Sequence, residues 1–275
     1  MIAIKTNRIP TIAVGFILTV GAVAVSFPFV WMLLGSIKHE REIFQLPLVF
    51  LPLMPTLDNF YRIFSTLDFG IYLRNTLVIT ALSYIGFFLN AIAGFAFAKY
   101  QFRHKETLFF IILATMMIPG QITMIPNFLI INQLGLINTM AGIVLPGLAS
   151  GFSIFLFRQF MSSVPDELLD SARVDGAKEF RIFLQIVCPV AKPVLAVQAT
   201  LTFIGGWNSF LWPLVIARSH RLYTLSAGLA LLRGEHGNDY ALQMASASLM
   251  VVPIVIVFVF LQRYIMDGFV LSGIK

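Results

Sequence analysis

The side chains of this sequence best suited to chemistry are uncharged amides and indoles set inside long apolar stretches. These groups donate and accept hydrogen bonds without carrying a charge. In an apolar surrounding they either form hydrogen bonds to neighbouring helices, each stabilising by about 1 kcal/mol or less, or line a hydrated path for a polar solute. Both interpretations stay open at this stage. The candidate pathway residues are Asn90, Gln121, Asn127, Trp207, Asn208 and Trp212.

The same apolar stretches contain no Asp, Glu, Lys, Arg or His, so they hold no group for proton coupling. The sequence has neither a Gly-rich phosphate loop nor a His-Glu-x-x-His pair. Composition does not exclude a Ser/His/Asp triad, but all four histidines lie between the stretches. The single cysteine, Cys188, excludes an internal disulfide and a Cys-rich metal site. We predict no catalytic, cofactor or metal site, and a partner must supply the energy for any transport.

One charged segment is more than a connection between apolar stretches. Pro165 suits the first turn of a helix, and Asp166 with Glu167 favours the positive end of the helix dipole. We predict a short amphipathic helix with Leu168, Leu169 and Ala172 on one apolar strip. We further predict a break at Gly176 and a second helix that runs from Ala177 toward Val187 and ends at Pro189. This projecting knob either lies on lipid headgroups or docks into a soluble partner.

The composition indicates that lipid, rather than water alone, surrounds this chain. Of its 275 residues, 58% are hydrophobic and only 12% are charged, and the mean hydropathy is +0.87. A soluble domain usually carries about 25% charged residues. The net charge of +6 comes from scattered basic residues without the runs that bind nucleic acid, so we expect no nucleic-acid partner.

A membrane span needs about 20 mostly apolar residues, and the charge-free stretches supply six. One stretch of 51 residues is too long for a single crossing, and we divide it at a polar break near Asn132 and Gly135. Within the third span we predict breaks at Pro119 and Pro126. We expect an all-α integral membrane protein forming one domain over residues 1–275. The predicted spans are residues 10–36, 75–98, 108–131, 139–158, 192–217 and 241–262, with a cytoplasmic loop at 159–191.

The distribution of basic residues sets the predicted orientation. With the N-terminus inside, twelve Lys and Arg residues lie on the cytoplasmic side and seven on the other. Both termini are therefore predicted to be cytoplasmic. Lys5 and Arg8 before an apolar run could instead begin a cleaved signal peptide. An uncleaved span suits the sequence better, because the apolar run continues to Ile37.

The charged segment resembles the cytoplasmic "EAA" motif of permease subunits of bacterial ABC importers. The sequence Asp170-Ser171-Ala172 is followed after three residues by Gly176, and after nine more by Ile186-Val187-Cys188-Pro189. The spacing matches throughout, with Asp for Glu, Ser for Ala and Cys for Leu. In that family this loop is a coupling helix that docks in a cleft of the ATPase. The resemblance implies that the ATPase-docking residues are Asp166, Glu167, Leu168, Leu169, Asp170, Ser171, Ala172, Arg173, Val174, Asp175, Gly176, Ala177 and Lys178.

Further segments, at residues 55–60, 207–214, 224–229 and 262–269, look like the maltose-permease-like carbohydrate-uptake branch of that family. The resemblance implies the six-helix type I importer fold and a bacterial inner-membrane location. It also implies a non-enzymatic subunit that forms half of a pathway for a sugar or sugar derivative. The implied partners are a second permease subunit in a heterodimer, two ATP-binding cassette ATPases, an extracytoplasmic solute-binding protein and membrane lipid.

Rival interpretations remain. The chain could belong to the same importer class but carry a non-sugar solute, or it could be a passive channel or carrier. It could also be a membrane scaffold whose polar residues only pack. A channel or a scaffold would leave the charged knob unexplained. The external loop at residues 218–239 is a candidate contact for the binding protein, and its 11 uncharged residues at 222–232 are too few to span.

Overall fold

The computed structural model describes residues 8–66, 68–235 and 239–272, and every regular element in that part of the chain is helical. The all-α prediction is therefore confirmed. Two 3₁₀ turns cover Leu145–Gly147 and His220–Leu222, and a π turn covers Phe183–Val187. The helices are α1 (Arg8–Ser36), α2 (Glu40–Ile43), α3 (Asp58–Thr66), α4 (Phe69–Lys99), α5 (Lys105–Met116), α6 (Gly120–Gln133), α7 (Met140–Val144), α8 (Gly151–Met161), α9 (Asp166–Val174), α10 (Glu179–Ile182), α11 (Cys188–Val190), α12 (Lys192–Trp207), α13 (Leu211–Ile216), α14 (Leu225–Glu235) and α15 (Tyr240–Ser272).

Four helical segments in the described residues are long and apolar enough to cross a membrane, and they lie in α1, α4, α12 with α13, and α15. Two bent pairs, α5 with α6 and α7 with α8, raise the number to six if each pair is one span. Lys5 and Lys275, two residues counted for the orientation, lie outside the described residues.

The observed helices extend beyond the charge-free stretches. α4 begins at Phe69 and includes Arg74, and α15 continues to Ser272, ten residues past its predicted end. The physical reason is that an absence of charge marks only the part of a helix inside the hydrocarbon. The helix itself continues into the headgroup region and the water.

The third apolar segment bends by 105° between α5 and α6. Pro119 is the N-cap of α6, as the predicted break there requires, whereas Pro126 lies inside α6 without interrupting it. The prediction that Pro126 also breaks the span was wrong, because neighbouring groups in a membrane protein can compensate for one missing backbone bond. The 42° bend between α7 and α8 was not predicted from the sequence.

The chain forms two compact units, and each has its own packing. The first contains α1 to α3 and the start of α15. The second contains α4 to α13 with most of α14, and there α4 packs against α8 and α12. A Cβ at Gly86 would lie 2.6 Å from the Leu148 carbonyl oxygen, and one at Gly206 would lie 2.8 Å from the Thr80 Cα. These glycines let the elements approach closely and so set the dimensions of the interior.

Candidate functional site

The second unit encloses an open cavity of about 600 Å³ between α4, α6, α7, α8, α12 and α13. Apolar and uncharged polar side chains line it. No described residue of the lining is charged or a histidine. Such a wall can bind a neutral polar solute through hydrogen bonds. The polar lining residues are Ser83, Asn90, Gln121, Thr123, Asn127, Ser150, Ser153, Gln198, Thr202, Ser209 and Trp212.

The Asn90 side chain uses both ends of its amide to hold the bend between α7 and α8. Its Nδ2 donates to the Leu148 carbonyl at 3.0 Å, and its Oδ1 accepts from the Ser150 N–H at 3.1 Å. Backbone groups at such a bend have no helical partner. Asn90 therefore stabilises the cavity wall, and its amide is occupied.

Gln121 and Asn127 differ from Asn90, because their amides have no hydrogen-bond partner among the described residues. Both lie on α6 and face the cavity. Gln121 is exposed and Asn127 half-buried. Their hydrogen-bonding groups are therefore free for water or for a solute in the cavity.

We expect Asn90→Leu to destabilise the protein and Asn127→Leu to leave its stability almost unchanged. The first change leaves the half-buried Leu148 carbonyl and the half-buried Ser150 N–H without partners, at about 1–3 kcal/mol. The second removes an amide without a protein partner. The check is the unfolding midpoint of each variant in detergent. Equal midpoints for the two variants would contradict the structural role assigned to Asn90.

Of the three candidate pathway residues Trp207, Asn208 and Trp212, only Trp212 lines the cavity. Trp212 lines the cavity, and its Nε1 donates to the Gly142 carbonyl at 3.1 Å. Trp207 is buried outside the cavity lining, with its ring stacked 5.7 Å from Phe203. Asn208 is exposed at the C-terminal end of α12 and does not line the cavity either.

Sequence reasoning missed Gln198. This residue is buried on α12, lines the cavity, and donates from Nε2 to the Ser153 hydroxyl at 2.7 Å. The signal was present, because Gln198 is an amide within the fifth predicted span. Ser153 gave no such signal, since serines are common in membrane helices.

The predicted knob is present as α9, and it packs on the interior of the same unit. Leu169 and Ala172 are buried in a cluster with Phe157, Met161 and Ile182. Leu168 is 43% exposed, so the prediction that it shares one apolar strip with Leu169 and Ala172 was wrong. Val174 is 88% exposed, so the outer surface of the helix presents apolar as well as charged groups.

Gly176 ends α9 in the left-handed conformation, with φ +79°. Its N–H donates to the Arg173 carbonyl, and the Ala177 N–H donates to the Ala172 carbonyl, which is the Schellman arrangement. The next helix begins at Glu179 rather than at Ala177, and helical structure continues to Val190. The predicted end at Pro189 was wrong because Pro189 occupies the first turn of α11, where a proline is tolerated.

Lys99, at the end of α4, fixes the start of α9. The Lys99 side chain is only 4% exposed, its Nζ lies 2.7 Å from Asp166 Oδ1, and it also donates to the Val164 carbonyl. This hydrogen bond with Lys99 holds the pKa of the Asp166 carboxyl below its usual value.

A second ionic network fixes the other end of α9. Arg173 bonds Asp170 at 2.7 Å and Glu179 at 2.8 Å, and the Tyr100 hydroxyl donates to Glu179. Arg173 lowers the pKa of the Glu179 carboxyl, and Tyr100 adds to this effect. Burial, with the hydrogen bond to Glu179, raises the pKa of Tyr100 to about 12. The knob is thus joined to Lys99 of α4 at its start and, through Glu179 of α10, to Tyr100, the C-cap of α4, at its other end.

An apolar helical protein with an uncharged polar cavity and a charged knob has the features of a membrane transport subunit. The family model described as "Binding-protein-dependent transport system inner membrane component" matches residues 86–269. This chain belongs to that family of inner-membrane transport subunits, and the predicted importer class and membrane location are confirmed.

Two relatives match across nearly the whole chain. The arabinooligosaccharides transport system permease protein AraQ of Halalkalibacterium halodurans is 36% identical, over 94% of this chain and 96% of its own length. The sn-glycerol-3-phosphate transport system permease protein UgpE of Pectobacterium atrosepticum is 32% identical, over 92% and 93%. A crystal structure of a bacterial ABC transporter involved in the import of the acidic polysaccharide alginate has a similar fold. Its TM-score is 0.79 at 24% identity, over 96% of this chain and 99% of that chain.

Proposed function

We propose that this chain is one of two permease subunits, forming a heterodimer, that carry a sugar or sugar derivative across the inner membrane. A solute-binding protein delivers the ligand, and two ATPase subunits act on the knob. The subunit performs no catalysis itself. One permease domain covers residues 1–275.

The proposed topology has six spans with both termini in the cytoplasm. Each bent pair, α5 with α6 and α7 with α8, then counts as one span. The knob lies on the cytoplasmic side and the segment at residues 218–239 on the outer side, where it is a candidate contact for the binding protein. In support, Leu225 and Ala227 at the start of α14 are buried, as expected of a short uncharged stretch that packs on protein.

The lining of the cavity favours a neutral saccharide over a charged solute. A phosphate or carboxylate ligand is usually paired with Arg or Lys, and the described lining has neither. Free amides at Gln121 and Asn127 suit sugar hydroxyls, which both donate and accept hydrogen bonds. AraQ is named for a neutral oligosaccharide, whereas UgpE is named for an anionic solute.

The observation that carries the proposal is the joining of α9 to α4 through Lys99 and through Tyr100. Phe87 and Asn90 of α4 line the cavity. A displacement of α9 by a docked ATPase would therefore be transmitted to the cavity wall. Alternating access is then a rigid-body rocking of this bundle around the cavity.

The solute class is tested by the ATP hydrolysis rate of the complete complex, reconstituted in lipid with its binding protein. We expect a neutral arabino-oligosaccharide or a related sugar to stimulate hydrolysis and sn-glycerol-3-phosphate to leave it at the basal rate. The contradicting result is stimulation by sn-glycerol-3-phosphate and by no sugar. The Asn127→Leu variant should reduce the stimulated rate, and Lys192→Met, an exposed change outside the cavity, should not.

A further inference from the structure

A series of hydrogen bonds between polar residues runs through the wall of the cavity in the second unit. It begins on α4, where Asn90 Oδ1 accepts from the Ser150 N–H. The Ser150 hydroxyl accepts from the Ser153 N–H at 3.2 Å, and the Ser153 hydroxyl accepts from Gln198 Nε2 at 2.7 Å. All four residues line the cavity. The series therefore joins α4, α8 and α12 in the cavity wall and ends at Gln198.

The two side chains at the end of this series are incompletely bonded. Gln198 is only 5% exposed, and its Oε1 has no hydrogen-bond partner among the described residues. Ser153 is 3% exposed, and its hydroxyl donates to no acceptor in the same part of the chain. A serine hydroxyl that accepts a hydrogen bond still has its O–H to donate. The pair thus keeps one acceptor, Gln198 Oε1, and one donor, the Ser153 O–H, unpaired.

An unpaired buried acceptor lowers the stability of a protein and calls for an explanation. Two other buried polar atoms of the described residues are also unpaired, Asn75 Oδ1 and Thr80 Oγ1, but neither of these side chains lines the cavity. Gln198 is therefore the one described residue that combines an unpaired buried acceptor with a place in the cavity wall. Its acceptor is available to a solute that enters the cavity.

A single sugar hydroxyl can satisfy both unpaired groups at once. A hydroxyl is a donor and an acceptor, so it can accept from the Ser153 O–H and donate to Gln198 Oε1. The terminal torsion of a glutamine side chain is broad, so a small rotation presents Oε1 to a solute. A phosphate or carboxylate oxygen carries no proton to donate at neutral pH, and its charge is repelled by the amide oxygen. The pair favours a hydroxyl over an anionic group.

We propose that Gln198 and Ser153 form a specificity-determining subsite that binds one hydroxyl of the transported sugar. The amides of Gln121 and Asn127 line the same cavity from α6, and they bind other hydroxyls of the same molecule. This subunit then selects the solute through its own side chains. The proposal rests on the proposed sugar-permease function and names the residues that give it specificity.

The test is the dissociation constant of a neutral sugar for the complete complex in phospholipid nanodiscs, without the binding protein. Saturation-transfer difference NMR measures the weak binding of two probes, arabinotriose and lactose. We expect Gln198→Leu and Ser153→Ala each to raise the dissociation constant about fivefold to tenfold, as for one lost hydrogen bond. The double variant should raise it by less than the product of the two effects, because both side chains bind the same hydroxyl.

Thr200→Val is the matched control. Thr200 is buried on the same helix, its hydroxyl donates to the Ala196 carbonyl, and it does not line the cavity. The dissociation constant should therefore stay unchanged. An increase equal to that of Gln198→Leu would show a general distortion of α12 and overturn the proposal. An unchanged constant in both Gln198→Leu and Ser153→Ala would overturn it as well.

The unfolding midpoint separates binding from packing. Leucine removes the unpaired acceptor, so Gln198→Leu should keep or raise the midpoint. A fall as large as that of Asn90→Leu would assign Gln198 a packing role and overturn the subsite.

Sugar-stimulated ATP hydrolysis of the wild-type complex, with its binding protein, is measured in parallel. Sugar binding that depends on Gln198 but brings no stimulation would contradict the proposed function alone. Stimulation together with sugar binding that is independent of Gln198 and Ser153 would contradict the subsite alone. Binding of neither probe to the wild-type complex would contradict both.

Discussion

Replacing Gly176 by valine should strongly weaken coupling to the ATPase while leaving the membrane-embedded part of the protein folded. Gly176 has φ +79°, and an L-residue in the left-handed region costs roughly 1–2 kcal/mol. A Cβ at this position would meet no atom within 4 Å, so the penalty is conformational rather than steric. The end of α9 must then change. We expect ATPase binding and sugar-stimulated hydrolysis to fall about tenfold or more, since 1.4 kcal/mol is a factor of ten.

Gly135 offers a matched control for Gly176. It has φ +70° and also no atom within 4 Å of an added Cβ. It ends α6 with the same pair of Schellman hydrogen bonds, from Gly135 to Asn132 and from Leu136 to Ile131. Gly135→Val should therefore lower the stability of the protein by about as much as Gly176→Val does, but the ATPase should remain bound. Equal loss of ATPase binding in the two variants would show that the Gly176 effect is general destabilisation.

Replacing Lys99 by methionine should uncouple α9 from α4. Methionine keeps an unbranched apolar side chain but cannot donate to the buried Val164 carbonyl. An unsatisfied buried acceptor costs about 1–3 kcal/mol, which is enough to change the position of α9 in most molecules. We expect the complex to retain basal ATP hydrolysis and to lose most of its stimulation by the loaded binding protein. The measurement is the ratio of stimulated to basal hydrolysis in proteoliposomes.

Two variants separate the carbonyl contact from the ion pair. Asp166→Asn removes the carboxylate charge but leaves the bond from Lys99 to Val164, and Asp166 is 75% exposed. Exposed ion pairs contribute little, so its effect should be small. Lys192→Met removes one positive charge elsewhere and should have no effect. A large loss in Asp166→Asn, equal to that of Lys99→Met, would mean that the ion pair and not the buried carbonyl positions α9.

The helices and the knob could be predicted from the sequence because each rests on local signals. Runs without charge mark the hydrocarbon segments, and Gly176 with its flanking charges marks the end of a short helix. The break at Pro119 follows from its missing N–H and its effect on the preceding residue. These signals require no knowledge of which helices are neighbours.

The cavity wall could not be predicted to the same extent, because it depends on contacts between distant segments. The sequence identifies Asn90 only as a polar residue within a span. Its hydrogen bonds with Leu148 and Ser150, which are distant in sequence, show that its amide is occupied. Asn208 falls outside the cavity lining, whereas its neighbour Ser209 belongs to it, and no local signal separates the two. Gln198 has a clear signal in sequence, and only its burial beside Ser153 identifies it as part of the wall.

The most direct test of the account is uptake of a labelled sugar into proteoliposomes that contain the complete complex. ATP is enclosed or omitted, and the binding protein is added outside. Accumulation above the external concentration is expected only when ATP and the binding protein are both present, and it should be strongly reduced with Gly176→Val. Equilibration of the sugar without ATP, or full accumulation with Gly176→Val, would contradict a subunit driven through α9.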